Sequence, residues 1–293
     1  MDYREQYDHY VAMIEETIEK ILPQTETDCP NDMQIPRHLC EAMRYSLLAG
    51  GKRVRPVLLL SQARVPAAAL EMIHTYSLIH DDLPGMDNDD YRRGRLTNHK
   101  VFGEGFAILA GDGLLNYAYE CILKNALDYG ANLEGHILAA REIAQRAGVG
   151  GMVAGQSIDL LSEHREPNEA TLHYIHMHKT ADLLTAPLLA AAYIAGADEK
   201  SIAALRTFGA CVGLAFQIDD DLLDVMGDAK DLGKQTGMDE QRGKMTWPSL
   251  VGVEAAQKKS RELWTQAEEA LAVFGDSAWF LREFAEALAK RKK

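Results

Sequence analysis

The sequence predicts an all-α protein, on three observations. Aromatic residues make up only 7% of the 293 positions while alanine and leucine abound, a composition that favours helix over sheet. Apolar residues recur every three or four positions, as at Tyr7, Tyr10, Ile14, Ile18 and Leu22. A second stretch of this kind runs between Pro66, which suits a first helical turn, and Pro84-Gly85, which suits a break. At 47% hydrophobic residues a sizeable core is available, and the length fits one large helical domain or two smaller ones. With no internal repeat, low-complexity tract or linker, residues 1–293 read as one all-helical domain.

The elements follow in order. Tyr3 to Leu22 is an amphipathic helix whose acidic face is solvated, and Ile35 to Leu48 is a second, ending at Ala49-Gly50-Gly51. Gly50 to Pro56 reads G-G-K-R-V-R-P, so Lys52, Arg53 and Arg55 follow two glycines, and backbone and cations can approach an anion together. It is not a Walker A loop, because Arg53 stands where Ser or Thr would be and no strand precedes it. On the residues alone, a solvated basic helix start is an equal alternative. Leu60 to Val65 then joins two helical patterns abruptly. Leu70, Ile73, Tyr76 and Ile79 mark the helix from Pro66 to Ile79, which delivers Asp81 and Asp82 at its C-terminal end. Asp87 returns on the irregular segment after Pro84; on an unbroken helix it would sit about 240° from Asp81.

Thr97 to Leu115 continues into a glycine-containing core helix, and Gly148 to Leu161 is a glycine-rich helix with Gln156 and Asp159 three apart. Such a polar pair needs partners or metal-bound water. His173, His176 and His178 do not share one helix face, so zinc is disfavoured. Leu183 to Ala197 contains Pro187 and is shorter than the ~20 residues a membrane helix needs, so it reads as a core helix, and no membrane span is expected. Phe208 to Phe216 is apolar, with Gly209 and Gly213 four apart for close packing, and Phe216 to Val225 then reads F-Q-I-D-D-D-L-L-D-V. The pairs Asp228–Lys234 and Gly243–Pro248 read as loops carrying Lys234 and Lys244, flexible point charges suited to phosphate. Ala255 to Lys293 forms helices with solvated charge, and the basic run 290–293 reads as a helix end.

The chemistry concentrates at Ile79–Gly94, which holds Asp81, Asp82, Asp87, Asp89 and Asp90 followed by Arg92 and Arg93. Clustered carboxylates at a helix C-terminus are unfavourable and call for a positive partner. Hard oxygen ligands without His or Cys suit magnesium, which completes its shell with water and phosphate oxygens. A solvated acidic turn explains one such cluster equally well. A second changes the balance: Asp220 and Asp224 lie four apart on one helical face, with Asp221 near it and Gln217 one turn before.

Net charge is −13, from 44 acidic against 31 basic residues, which argues against nonspecific nucleic-acid binding. Cys29, Cys40, Cys121 and Cys211 are scattered and read as reduced thiols of a cytoplasmic protein. The N-terminus is charged and lacks the apolar core of a secretory signal.

The ordered pair D-D-x4-D and D-D-x2-D resembles the trans-prenyltransferase family, and within it the bacterial-type farnesyl diphosphate synthases, from about Tyr45 to the end of the chain. The resemblance implies an isoprenoid-synthase helical bundle with a deep central cavity, acting as a cytoplasmic homodimer. It implies that isopentenyl diphosphate adds to dimethylallyl and then geranyl diphosphate, with the released diphosphate taking the proton. It implies Mg2+, three ions per site, on Asp81, Asp87 and Asp220, with Asp82, Asp221 and Asp224 in support. It assigns Lys52, Arg55, His74 and Arg93 to isopentenyl diphosphate, and Arg92, Lys179, Thr180, Gln217, Lys234 and Lys244 to the allylic diphosphate. Of these, Lys179 joins Asp81, Asp87 and Asp220 as catalytic. His80 is left as either packing or a support behind the site. Tyr76, five residues before Asp81, is the position where, in the family, a bulky aromatic stops the chain at fifteen carbons. Farnesyl diphosphate is therefore the expected product. A geranylgeranyl diphosphate synthase is the alternative, and, outside catalysis, a subunit of a heteromeric prenyltransferase.

Overall fold

The computed structural model describes residues 2–23, 35–60, 63–129, 132–166, 168–226 and 244–291. These form two compact units, 1–140 and 141–293. Lys234 and Cys29 fall outside the described residues.

In the first unit, α1 (Tyr3–Ile21) starts at a capping box in which Asp2 accepts from Glu5 N while Glu5 accepts from Asp2 N. It is followed by α2 (Arg37–Leu47), α3 (Val54–Leu60) and α4 (Arg64–Asp81). Helix α4 begins two residues earlier than Pro66 suggests, because a proline in the first turn removes no helical hydrogen bond. Ala67, Ala68, Ala69, Leu70, Met72 and Ile73 are all fully buried, so α4 is apolar around most of its girth and forms the centre of this unit. A short hairpin, β1 (Tyr91–Arg92) and β2 (Arg95–Leu96), pairs Tyr91 with Leu96 and Arg92 with Arg95. Its two-residue loop, Arg93-Gly94, has φ of 53° and 74°, the left-handed pair that suits the strand twist. Then come α5 (Asn98–Phe102) and α6 (Glu104–Asp128). Helix α6 lies close to α4 at Gly111, where a Cβ would fall 2.1 Å from His80 Nε2. His80 thus packs between helices, as expected.

Helix α7 (Leu133–Ala147) carries the chain into the second unit, which continues with α8 (Met152–Ser162) and α9 (Glu169–Ile175). A six-residue π-helical stretch, His176–Ala181, leads directly into α10 (Asp182–Ile194). Helix α10 runs through Pro187 and is buried over most of its length, which agrees with the core helix read from Leu183–Ala197. The long α11 (Glu199–Met226) packs so closely on the π-helical stretch and α10 that a Cβ on Gly213 would stand 2.3 Å from Ala181 Cα and one on Gly209 2.9 Å from Thr185 Cα. By length and composition α11 could cross a membrane, but its buried face serves the core and its last turns carry Asp219, Asp220, Asp221 and Asp224. After the undescribed stretch come α12 (Trp247–Val251), α13 (Val253–Ala270), a 3-10 stretch (Leu271–Ala278) and α14 (Trp279–Ala289).

Candidate active site

The first acidic motif sits where α4 stops. Asp81 is the last helical residue and Asp82 the cap. The chain breaks at Pro84-Gly85 and turns back, so that Asp87 N donates to Asp81 O at 2.9 Å and Asn88 N to Leu83 O at 3.1 Å. Two residues six apart are thereby brought together at backbone level, which an unbroken helix could not do. Asp82 is buried, and Arg92 grips it from Nε at 2.7 and 2.9 Å and from Nη2 at 2.6 Å. Burial raises the Asp82 carboxyl while the Arg92 contact opposes the rise. Arg92, assigned by resemblance to the allylic diphosphate, is thus held by the supporting aspartate of the motif.

The basic loop gathers on the same unit. Arg55 Nη1 lies 3.1 Å from His74 Nε2. A guanidinium has only donors, so Nε2 accepts and the ring's proton resides on Nδ1. Burial, with Arg55, Arg93, Arg92 and Arg53 adding, drives the His74 imidazolium far below its ordinary range, and the ring is neutral at physiological pH. Burial and Arg93 also push Arg55 down to about 10, against the pull of Glu71, so it remains a cation. Arg93 Nη1 donates to Gly50 O, and its guanidinium lies flat enough on Gly51 that a Cβ there would meet Cζ at 2.7 Å. Arg55, His74, Arg93 and the loop bearing Lys52 therefore share one corner, which is the grouping expected for isopentenyl diphosphate.

In the second unit, three successive aspartates of α11 point to three different partners. Asp219 accepts from Ser260 Oγ and from Trp264 Nε1 at 2.9 Å, tying α11 to α13. Asp220 accepts from Arg291 Nη2 at 2.7 Å. Asp221 accepts from Gln217 Nε2 at 3.1 Å and from the backbone N of Trp247 at 3.0 Å. Gln217 in turn accepts from Thr180 Oγ1 at 2.9 Å, and Lys179 Nζ donates to Asp159 Oδ2 at 2.6 Å. Of the expected allylic-side residues, Thr180 and Gln217 are therefore linked to each other, and Lys179 is held by Asp159. Asp159, one of the polar pair on the glycine-rich helix, has Lys179 as a partner. His176 accepts from Trp247 Nε1 at 3.0 Å on Nδ1, and His178 pairs with Asp182 at 2.8 Å.

Of the basic run, Lys290 caps the helix end in solvent as expected and Lys292 and Lys293 lie outside the described residues, but Arg291 departs from a solvated charge: it is largely buried, donates to Phe216 O at 2.7 Å as well as to Asp220, and lies 3.5 Å above the Phe216 ring. A planar cation satisfied by a carboxylate, a carbonyl and an aromatic face has reason to leave water.

The donor set is right for magnesium, being carboxylate oxygen only. Among the described residues no three Asp, Glu, His or Cys side chains are gathered closely enough to hold an ion alone. Magnesium takes one or two carboxylates and draws its remaining ligands from water and phosphate. Asp81 with Asp87, and separately the partly exposed Asp220, can supply those carboxylates.

Sequence pattern missed Asp219, Trp247, Arg291 and the Arg53–Glu71 pair. For Trp247 a signal existed: Thr246-Trp247-Pro248-Ser249 is a helix start, with Thr246 accepting from Ser249 N at 3.3 Å and proline in the first turn.

Residues 36–273 match the polyprenyl synthetase family. The chain is 48% identical over 234 residues to a farnesyl diphosphate synthase of Geobacillus stearothermophilus, covering 76% of this chain and 78% of that one. It is 41% identical over 290 residues to a geranylgeranyl diphosphate synthase of Cyanophora paradoxa, covering 95% and 93%. The solved geranyltransferase from Helicobacter pylori complexed with magnesium and isoprenyl diphosphate superposes with a TM-score of 0.78 at 30% identity, over 97% and 96% of the two chains. With both aspartate motifs in order and the basic corner beside the first, the chain belongs to the polyprenyl synthetase family and is a trans-prenyltransferase that elongates isoprenyl diphosphates.

Proposed function

We propose that the protein condenses isopentenyl diphosphate with dimethylallyl and then geranyl diphosphate, and that it stops at farnesyl diphosphate. The observation that carries the stopping point is Tyr76: it is buried on α4, five residues and so about 7.5 Å before Asp81 along the helix axis. A tail growing inward from the first aspartate motif meets a phenol ring there.

Asp81, Asp87 and Asp220 would hold magnesium, three ions in all. When bound, the metal would offset the charge that builds on the departing diphosphate. Lys179, Thr180, Gln217, Lys244 and Arg92 would orient the allylic diphosphate, and Lys234 is assigned with them by resemblance. Lys52, Arg55 and Arg93 would bind the isopentenyl diphosphate as fixed cations, and His74, being neutral, would add a hydrogen bond and no charge. Asp82 and Asp221 would act through the residues they hold, Arg92 and Gln217. No side-chain nucleophile is required, because the alkene attacks the allylic cation directly.

The protein would work as a homodimer. Helix α6 exposes Ile108, Leu109, Leu123 and Leu127, an apolar stripe that a second copy would cover.

The test is to incubate the protein with isopentenyl diphosphate and either dimethylallyl or geranyl diphosphate, with and without magnesium, and to identify products by mass spectrometry. Magnesium-dependent C15 product is expected. Predominant C20 product would replace the farnesyl reading with the geranylgeranyl one, and no product would remove both. Sedimentation equilibrium tests the dimer.

A further inference from the structure

We propose that Arg53 is a positioning residue for the isopentenyl diphosphate site, fixing from inside the core the backbone that presents Lys52 and Arg55. This rests on the function proposed above.

Arg53 stands between two cations assigned to the ligand, yet its own side chain is completely withdrawn from solvent. Its guanidinium reaches three other helices: Nε to Glu15 on α1 at 2.6 Å, Nη1 to Glu71 on α4 at 2.8 Å, and Nη2 to the carbonyl of Leu47 at the end of α2 at 2.8 Å. Acceptors on three sides fix the plane of a rigid, five-donor group in a way they would not fix an ammonium. With two carboxylates upon it, Arg53 has no charge to spare for a diphosphate. Its role must be exerted through its neighbours.

The backbone points the same way. Gly50, Gly51 and Arg53 all have positive φ, at 76°, 138° and 50°. For arginine this conformation is unfavourable and persists only where the surroundings over-determine it. The buried contacts supply that determination. Tyr7 adds a further tie, donating from its hydroxyl to Lys52 O at 2.5 Å.

The register of the loop on α4 follows from two rungs. Arg53, just before α3, bonds Glu71, and Arg55, in the first turn of α3, bonds His74, so residues two apart across the start of α3 meet residues three apart on one face of α4. The inner rung is fully buried and the outer rung faces the proposed ligand. Loosening the inner rung frees the loop to slide, and Lys52, Arg55 and His74 lose their common geometry together.

The test uses the full-length protein and varies each substrate separately. Arg53→Lys keeps the charge but loses the fork that reaches three acceptors, and Glu71→Gln keeps the acceptor oxygen but loses the charge. Each is expected to raise KM for isopentenyl diphosphate about tenfold or more while KM for geranyl diphosphate and kcat stay within about threefold. Isothermal titration with isopentenyl diphosphate should show the same weakening. If both KM values and kcat move in parallel, or if only the melting temperature falls, Arg53 is a structural residue and the inference is wrong. Should Arg53→Lys fail to fold, Glu71→Gln decides alone, since it retains the shape of the buried site. A wild-type protein that makes no product overturns the proposed function and this inference with it; an active wild type with unaltered KM in the variants overturns this inference only.

Discussion

The backbone N–H of Trp247 donates to Asp221 Oδ2 at 3.0 Å, so an aspartate inside the second motif holds the chain at the point just after Lys244. The other oxygen of Asp221 accepts from Gln217, which accepts from Thr180. Asp221 is therefore a hub of hydrogen bonds, and its neighbour Asp220 is the one proposed to hold metal. Two adjacent aspartates of one motif do different work because a helix turns by about 100° per residue.

Asp221→Asn should expose that division. The amide places a donor against either Gln217 Nε2 or Trp247 N, both donors themselves. A loss of about 1–3 kcal/mol in stability is expected, from one buried donor left unmatched. Asp220→Asn, at a partly exposed position, should lower turnover strongly with a smaller change in stability. Urea unfolding and steady-state rates on both variants check this; equal stability losses would dissolve the distinction.

Arg291 bears on metal demand. It sits on Asp220, the proposed ligand, in the place a cation would take. Burial lowers the Arg291 pKa, while Asp220 and Asp219 pull against the shift. Removing the side chain, as in Arg291→Ala, should lower the magnesium concentration for half-maximal rate roughly fivefold, the factor that a competing contact of about 1 kcal/mol imposes. A magnesium titration of the rate measures it, and an unchanged midpoint would mean that Arg291 does not compete.

How much of this was legible in the sequence depends on the distance over which each contact acts. The end of α4 and the return of Asp87 were readable because Pro84-Gly85 encodes them locally. The close packing at Gly209 and Gly213 was readable from small residues four apart. Asp219 with Trp264, Asp220 with Arg291 and Asp221 with Trp247 were not, since those pairs lie 45, 71 and 26 residues apart and nothing local marks the partner. Arg53 was hidden for a different reason: beside Lys52 and Arg55 it looks like one more anion-binding cation, and only burial against two carboxylates separates it. The π-helical stretch bearing Lys179 and Thr180 was hidden because one extra residue in a turn barely alters apolar spacing.

His176 sets a pH dependence of stability. Burial, with His173 and Lys179 adding, pushes its imidazole from 6.5 down to about 3. Asp221, whose Oδ2 is 3.6 Å from Nε2, faces it from α11, and Trp247 faces Nδ1. The unfolded chain takes up a proton as pH falls through 6.5 while the folded chain does not. The stability contributed by this group is thus present above pH 6.5 and is lost as pH falls toward 3. The loss from this one group is on the order of 1 kcal/mol by pH ~5.5. His74, also driven down by burial and then by the arginines around it, acts with the same sign. Unfolding free energies should therefore fall from pH 7.5 to 5.5, and less steeply in His176→Gln, whose amide oxygen can still accept from Trp247. Parallel slopes for wild type and variant would refute the assignment.

Tyr76 governs the last prediction, which concerns product length. Its ring is buried on α4 and meets the His80 ring edge-on, with centroids 5.7 Å apart and an interplanar angle of 84°. Burial raises its pKa, so the phenol stays neutral and presents a stiff, uncharged wall. His80 is itself wedged against Gly111 of α6, which leaves the tyrosine ring little room to swing aside. Tyr76→Ala removes the wall, and products of twenty carbons or more should appear in place of the fifteen-carbon product proposed for the wild type. Tyr76→Phe keeps the ring and should keep the C15 product. The alanine variant gives up buried aromatic packing, at a loss of roughly 3–5 kcal/mol, so its product spectrum is best taken at low temperature. Tyr119 on α6 is the next aromatic in line: burial and then Tyr76 raise its phenol to about 12. If Tyr76→Ala still yields only C15, adding Tyr119→Ala separates a deeper stop from a cavity that does not run along α4 at all.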